Sequence, residues 1–197
     1  NLLEVIENGQ VTVLLGLSGQ AGAFNQPIVE AVSRNNSRPV VFPLSNPTSI
    51  AEALPEDIFA WTDGRAIVAT GSPFEDVVHA GKTYPIGQGN NAFVFPGLGF
   101  ASILSEASRI TDGMVLESAY ALADYTAAGH VEAGRVYPPI RELPEVSIRV
   151  TTRVMARAIE EGVARKEGLE GRDLDTYVRQ HFWRPRHLPF VRGIEPS

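Results

Sequence analysis

Four short apolar runs constrain this chain more than anything else in it: VTVLL at residues 11 to 15, PVVFPL at 39 to 44, AIVAT at 66 to 70 and AFVFP at 92 to 96. Each is continuous rather than alternating, as in a strand buried on both faces, and each is closed by Gly, Pro, Ser or Asn. Between them the apolar spacing changes. QPIVEAVSR after the first run has a helical pattern, and SNPTSIAEAL after the second offers Ser45, Asn46 or Thr48 as a helix cap. Strand, turn and helix in alternation predict a doubly wound α/β fold around a parallel sheet. Ligands of such sheets sit beyond the carboxyl ends of the strands, which places GLSGQAG, SNPT, GSPF and GQGNN near one edge.

From about residue 97 the pattern becomes helical. FASILSEASRI and MVLESAYALADYTAA carry apolar residues three and four apart, and GHVEAGRVYPPIRELP reads as an irregular connection. A long amphipathic helix is expected over 145 to 166, with Val146, Val150, Val154, Ala158 and Gly162 on one stripe, and a short one over 173 to 182 before the tail RPRHLPFVRGIEPS. NLLEVIENG reads as the end of a helix entering VTVLL with no strand before it. The sheet is therefore expected to have an open edge and an uncovered face, covered by further polypeptide or belonging to something larger.

Composition excludes several classes. With 44% hydrophobic and 20% charged residues among 197, the chain has globular composition, enough for one large domain or two small ones. A net charge of −6 argues against a nucleic-acid partner, which needs a basic field. No apolar stretch is long enough to cross a bilayer, and the N-terminus carries no basic signal region. The lack of cysteine removes disulfides, thiolate metal sites and a Cys nucleophile, which suits a cytoplasmic location.

GLSGQAG has Gly16, Gly19 and Gly22 between a strand and a helix, the context of a phosphate or dinucleotide turn. The spacing is G-x-x-G-x-x-G rather than G-x-G-x-x-G, no acidic residue stands ready to hold a ribose, and there is no Walker Lys-Ser or Lys-Thr. On pattern alone a plain βα turn fits equally well. Asn46, biased toward extended backbone by Pro47, reads first as a turn or cap residue. Asn90 and Asn91 are one more asparagine than a turn needs. An uncharged amide both donates and accepts, which suits recognition of a hydroxyl or carboxylate beside a cofactor. His79, His130, His181 and His187 have no metal-site spacing, and Glu75, Asp76, Glu106 and Asp112 form no acid–base pair. No serine lies in a G-x-S-x-G elbow, and Phe182 and Trp183 read as packing anchors.

LLGLSGQAGAF, RPVVFPLSNPTSIAEALPEDIFAWTDGRAIVATGSPF, YPIGQGNNAFVFPGLGF, ASRITDGM and GRVYPPI follow in an order and spacing that resemble the C-terminal part of malic enzymes, closest to bacterial NAD-preferring forms. The resemblance covers about residues 1 to 165; the last 30 or so match loosely, chiefly at HFW. It implies a partial Rossmann-like parallel sheet, the C-terminal half of a dinucleotide-binding domain, over residues 1–90. A mostly helical segment returning to the central catalytic domain would follow over 91–165, with AFVFPGLGF as its first strand and helix, and a C-terminal helix and tail over 166–197.

The implied activity is oxidative decarboxylation of L-malate to pyruvate and carbon dioxide with NAD, or NADP, and Mg2+ or Mn2+. The resemblance assigns Asn46, Asn90 and Asn91 to malate, and Gly16, Ser18, Gly19, Asn46, Gly71 and Asn90 to the dinucleotide. The family's tyrosine acid, lysine base, metal-binding carboxylates, malate-binding arginine and first glycine-rich turn precede the matched part. No catalytic or metal-binding residue is therefore expected here, and the chain alone is expected to be inactive. A cytoplasmic homo-oligomer without nucleic-acid or membrane partners is implied. A malolactic enzyme, yielding lactate, fits the same resemblance, and a stand-alone nucleotide-binding or interaction module is the alternative of a different class.

Overall fold

The computed structural model describes residues 1–185; His187 and the rest of the expected tail lie outside them. Helix α1 (Leu2–Gly9) starts at a capping box between Asn1 and Glu4 and stops at Gln10, which adopts left-handed backbone. Strand β1 (Val13–Gly16) follows, then α2 (Gln26–Asn35), which Asn25 caps by accepting from the Ile28 N–H. Next come β2 (Val40–Pro43), α3 (Pro55–Trp61) and β3 (Ile67–Thr70). An antiparallel hairpin of β4 (Val77–His79) and β5 (Lys82–Tyr84) leads to the short β6 (Gly87–Gln88). The main sheet is parallel in the order β1-β2-β3-β6.

Register explains the layers. Leu14, Val41 and Val68 point to one face and are buried with Ile6, Val29, Val32 and Ile58 from the three helices. Both helical crossovers step in the same direction along the sheet, so α2 and α3 share one face, whereas a doubly wound sheet carries helices on both. On the other face Val13 and Leu15 are 50% and 53% exposed at the β1 edge, while Phe42 in β2 is half-buried near the Tyr137 ring. The runs expected to be buried on both faces are thus covered on one, and on the second only toward β6.

The fourth apolar run is not a strand. Asn91–Phe93 is a 3-10 turn, and Phe95–Leu104 is helix α4, with Pro96 in its first turn. The Asn90 side chain accepts from the Ala92 N–H at 2.8 Å and closes the turn, and Phe93 is buried among helices. A short apolar run bounded by turn residues has no periodicity that separates strand from buried helix.

Helix α5 (Asp112–Gly129), capped by Thr111, and α4 both pack on α6 (Leu143–Glu160). Val146, Val150, Val154 and Ala158 of the expected stripe are fully buried there. Gly97 lets α4 approach closely, since a Cβ at that position would lie 2.6 Å from Val150. Helix α7 (Leu174–His181) adds Val178 to the same core, and Phe182 meets the Phe100 ring edge-on at 6.0 Å. Trp183 is 77% exposed, so it is not the packing anchor its apolar bulk suggested. Among the described residues no helix is long and apolar enough to cross a membrane.

Candidate functional site

The carboxyl ends of all four parallel strands meet in one hydrogen-bonded rim. The Leu44 N–H donates to Gly16 O at 2.9 Å, the Gly71 N–H to Pro43 O at 3.1 Å, and the Gly89 N–H to Thr70 O at 2.7 Å. Side chains reinforce this ladder: Gln88 donates to Gly71 O at 3.1 Å, and the Ser72 hydroxyl donates to the Asn46 side-chain oxygen at 3.0 Å. The rim therefore gathers Gly16, Asn46 and Gly71 from three separate segments, and Ser18 and Gly19 follow Gly16 in the same turn. Gly71 permits the ladder because a Cβ there would lie 2.0 Å from the Leu44 carbonyl oxygen.

In the GLSGQAG turn, Gly19 and Gly22 adopt φ of 66° and 72°, a region that disfavours L side chains. Gly16 is needed for another reason, since its Cβ would fall 2.6 Å from the Glu52 carboxyl group. Glu52 is one of two residues that sequence reasoning missed. It is fully buried and accepts from the Ser18 N–H at 2.8 Å, the Ser18 hydroxyl at 2.9 Å, the Ser45 N–H at 3.3 Å and the Ser45 hydroxyl. Burial pushes its carboxyl up, but the bonds from Ser45 and Ser18 outweigh burial and hold it below its ordinary value. The available signal was a lone carboxylate in the apolar AEAL segment, seven residues after Ser45.

None of the candidate caps in SNPT caps a helix. Ser45 is held by Glu52, the Asn46–Pro47 peptide is cis, Thr48 opens a 3-10 turn, and α3 starts without a side-chain cap. Asn46 is exposed and its side-chain oxygen faces Ser72, which leaves the amide NH2 free to donate.

Asn90 and Asn91 stand at the crossing from sheet to helices and line a cleft of about 420 Å³ with Val94, Leu122, Thr126 and Tyr137. Gly16, Ser18, Gly19, Asn46 and Gly71 do not line that cleft; they form the neighbouring strand-end rim. Asn90 spends its side-chain oxygen on the turn and keeps its NH2, while Asn91 is exposed. Tyr137, also outside the sequence-derived set, closes the cleft from the GRVYPPI connection. Its ring centroid is 6.4 Å from both Phe42 and Phe93, and burial raises its phenol above the ordinary value of 10. Gly87 and Gly89 admit it, since a Cβ on either would lie within 3.3 Å of Tyr137. Arg135 anchors the same connection, donating to Ile86 O at 3.0 Å and to Asp76 at 3.1 Å.

Chemically, this is a backbone turn with little bulk beside uncharged amides, suited to a polar ligand with hydroxyl and carboxylate groups. Among the described residues no three His, Asp or Glu side chains form a metal-ligand set. The described histidines have structural partners: His130 lies 2.9 Å from Glu142, His181 meets Tyr177 O at 2.8 Å, and His79 is 4.0 Å from Asp63.

The family profile described as "Malic enzyme, NAD binding domain" matches residues 1–159. The chain is 46% identical over 194 residues to NAD-dependent malic enzyme 1 of Vibrio vulnificus, covering 98% of this chain and 34% of that protein. It is 42% identical over 192 residues to the NAD-dependent malic enzyme of Acinetobacter baylyi, again covering 98% and 34%. The chain thus spans about a third of the length of the curated relatives it matches. Among solved structures, the malic enzyme of Entamoeba histolytica shares the fold at a TM-score of 0.74 and 23% identity, over 92% of this chain and 34% of that one. The malic enzyme of Pyrococcus horikoshii has a TM-score of 0.66 at 26% identity, over 91% and 36%.

Proposed function

The chain belongs to the malic enzyme family, and on that premise we propose that it forms the C-terminal part of an NAD-dependent enzyme that oxidatively decarboxylates L-malate to pyruvate and carbon dioxide. One observation carries the reading: the strand-end rim with Gly16, Ser18, Gly19, Asn46 and Gly71 adjoins a cleft with Asn90 and Asn91. Bound dinucleotide supplies the hydride acceptor for C2 of the hydroxy acid.

On this reading the rim receives the nicotinamide end, with Gly16, Ser18, Gly19 and Gly71 as its border. The free NH2 groups of Asn46, Asn90 and Asn91 donate to hydroxyl and carboxylate oxygens of malate. Tyr137 and Val94 keep water from one side of the cleft. Among the described residues no three carboxylate or imidazole side chains gather to hold a divalent cation by themselves. The proton transfers and metal ligands are assigned to the part of the family's length that this chain does not span. Residues 1–90 act as the dinucleotide unit, 91–165 as part of the catalytic unit, and 166–197 as a C-terminal extension. The exposed face at Val13, Leu15 and Leu17 is covered by further polypeptide in a cytoplasmic homo-oligomer.

The test is a full-length protein containing this chain, assayed with malate, NAD and Mn2+ for NADH and pyruvate. Equimolar NADH and pyruvate are expected. Lactate without NADH would assign a malolactic reaction instead, and no turnover would refute the enzyme reading.

A further inference from the structure

Among the described residues, Glu52 is the one side chain of a formally charged residue that is buried, at 0% exposure. Its groups tie two turns together. The carboxylate accepts from both the N–H and the hydroxyl of Ser18 and of Ser45. Its own carbonyl accepts the Phe24 N–H at 2.9 Å, and Ala51 O accepts the Gly22 N–H at 3.3 Å. Ser45 extends the network, its hydroxyl oxygen accepting from the Gly19 N–H at 2.9 Å. The whole GLSGQAG turn is thus bound to the segment that begins at Ser45, next to Asn46.

Burying a carboxylate with no cation among its hydrogen-bond partners costs several kcal/mol before its bonds are counted, on the order of the effective penalty for a desolvated ion. An acceptor-only group nevertheless suits the site, because both of the backbone N–H groups facing it can only donate. Glutamine fits poorly: one of its two polar ends donates, and a backbone N–H is left facing it.

We propose that Glu52 is a positioning residue which, without touching ligand, sets the spacing between the dinucleotide-facing turn and Asn46, so that cofactor affinity depends on its carboxylate. The proposal rests on the preceding functional reading. It is tested in a full-length protein containing this chain, with Glu52→Gln and, separately, Ser45→Ala, which keeps the carboxylate but removes one of its donors and the acceptor of the Gly19 N–H. NAD affinity is measured by calorimetric titration below the unfolding temperature, and amide hydrogen exchange is followed at Ser18 and Gly19.

Glu52→Gln is expected to weaken NAD binding about tenfold, the equivalent of one unsatisfied buried N–H, and to speed exchange at both amides. Ser45→Ala shifts both readouts in the same direction by a smaller factor. NAD affinity within twofold of the unsubstituted protein in folded Glu52→Gln overturns the proposal; should that variant not fold, the same result in Ser45→Ala does so. If the unsubstituted protein itself fails to bind NAD, the functional reading falls and the proposal with it. Normal NAD binding by the parent and its variants alike removes the proposal alone.

Discussion

Replacing Gly71 by alanine tests the strand-end rim directly. The new Cβ would lie 2.0 Å from the Leu44 carbonyl oxygen and 2.5 Å from its carbon. Ordinary contact begins at 3.4 Å, so the ends of β2 and β3 must part by more than an ångström. The clashing atoms are backbone, and no side-chain rotation relieves them. Forced overpacking of this kind costs about 1–3 kcal/mol, and straining the Gly71 N–H to Pro43 O bond adds about 1. A total of about 3 kcal/mol lowers the unfolding midpoint by at least about 6 °C if the unit unfolds with the size-typical entropy. The same movement pulls Ser72 from Asn46, so NAD and malate affinities fall as well. Thermal unfolding by calorimetry is the assay, with Gly99→Ala as the matched control. A Cβ at Gly99 meets nothing within 4 Å inside α4, and there alanine is expected to stabilise by about 0.5–1 kcal/mol. A Gly71→Ala midpoint at or above that of the unsubstituted protein would refute the reasoning.

Asn90→Asp retains the oxygen that closes the turn with Ala92 and removes the NH2, so the KM for malate is expected to rise at least about tenfold with the unfolding midpoint unchanged; steady-state kinetics and calorimetry check both. The Glu52 carboxyl is depressed below 4.5, so the stability it contributes is complete above pH 4.5 and is lost as pH falls through the lower folded value. Urea unfolding of Glu52→Gln against the unsubstituted protein should therefore show a gap that narrows on acidification below pH 4.5. Burial, then the hydrogen bond to Glu142, pushes the Tyr125 phenol up to about 12. Its contribution is present below pH 10 and fades as pH rises toward 12, and Tyr125→Phe should remove the highest-pH step in an ultraviolet phenolate titration.

The first three apolar runs were legible as parallel strands because a helical segment joins each to the next, as in a βα repeat, and the stripe at Val146, Val150, Val154 and Ala158 was legible because 3.6-residue periodicity survives in any amphipathic helix. AFVFP was not, since its identity is decided by the Asn90 turn and by neighbours far along the chain. Asn46, Asn90 and Asn91 stood out as amides in turns, but their separation into rim and cleft is a tertiary fact. Glu52 and Tyr137 were missed for the same reason. A carboxylate in a helix-like segment reads as solvated until the serines around it are placed, and the glycines of PIGQGNN read as a turn until the ring they accommodate is seen.

The Tyr137 contact has a mechanical consequence. Among the described residues one covalent crossing at Gly89 and one strap through Arg135 and Tyr137 join the sheet to the helices, so Asn46 is carried by the sheet and Asn91, in the 3-10 turn packed on α6, by the helices. Alignment of the two amides is then a property of the joint rather than of either core. A substitution that merely shims the strap, such as a bulkier residue at Gly87, would misalign them while leaving both cores intact.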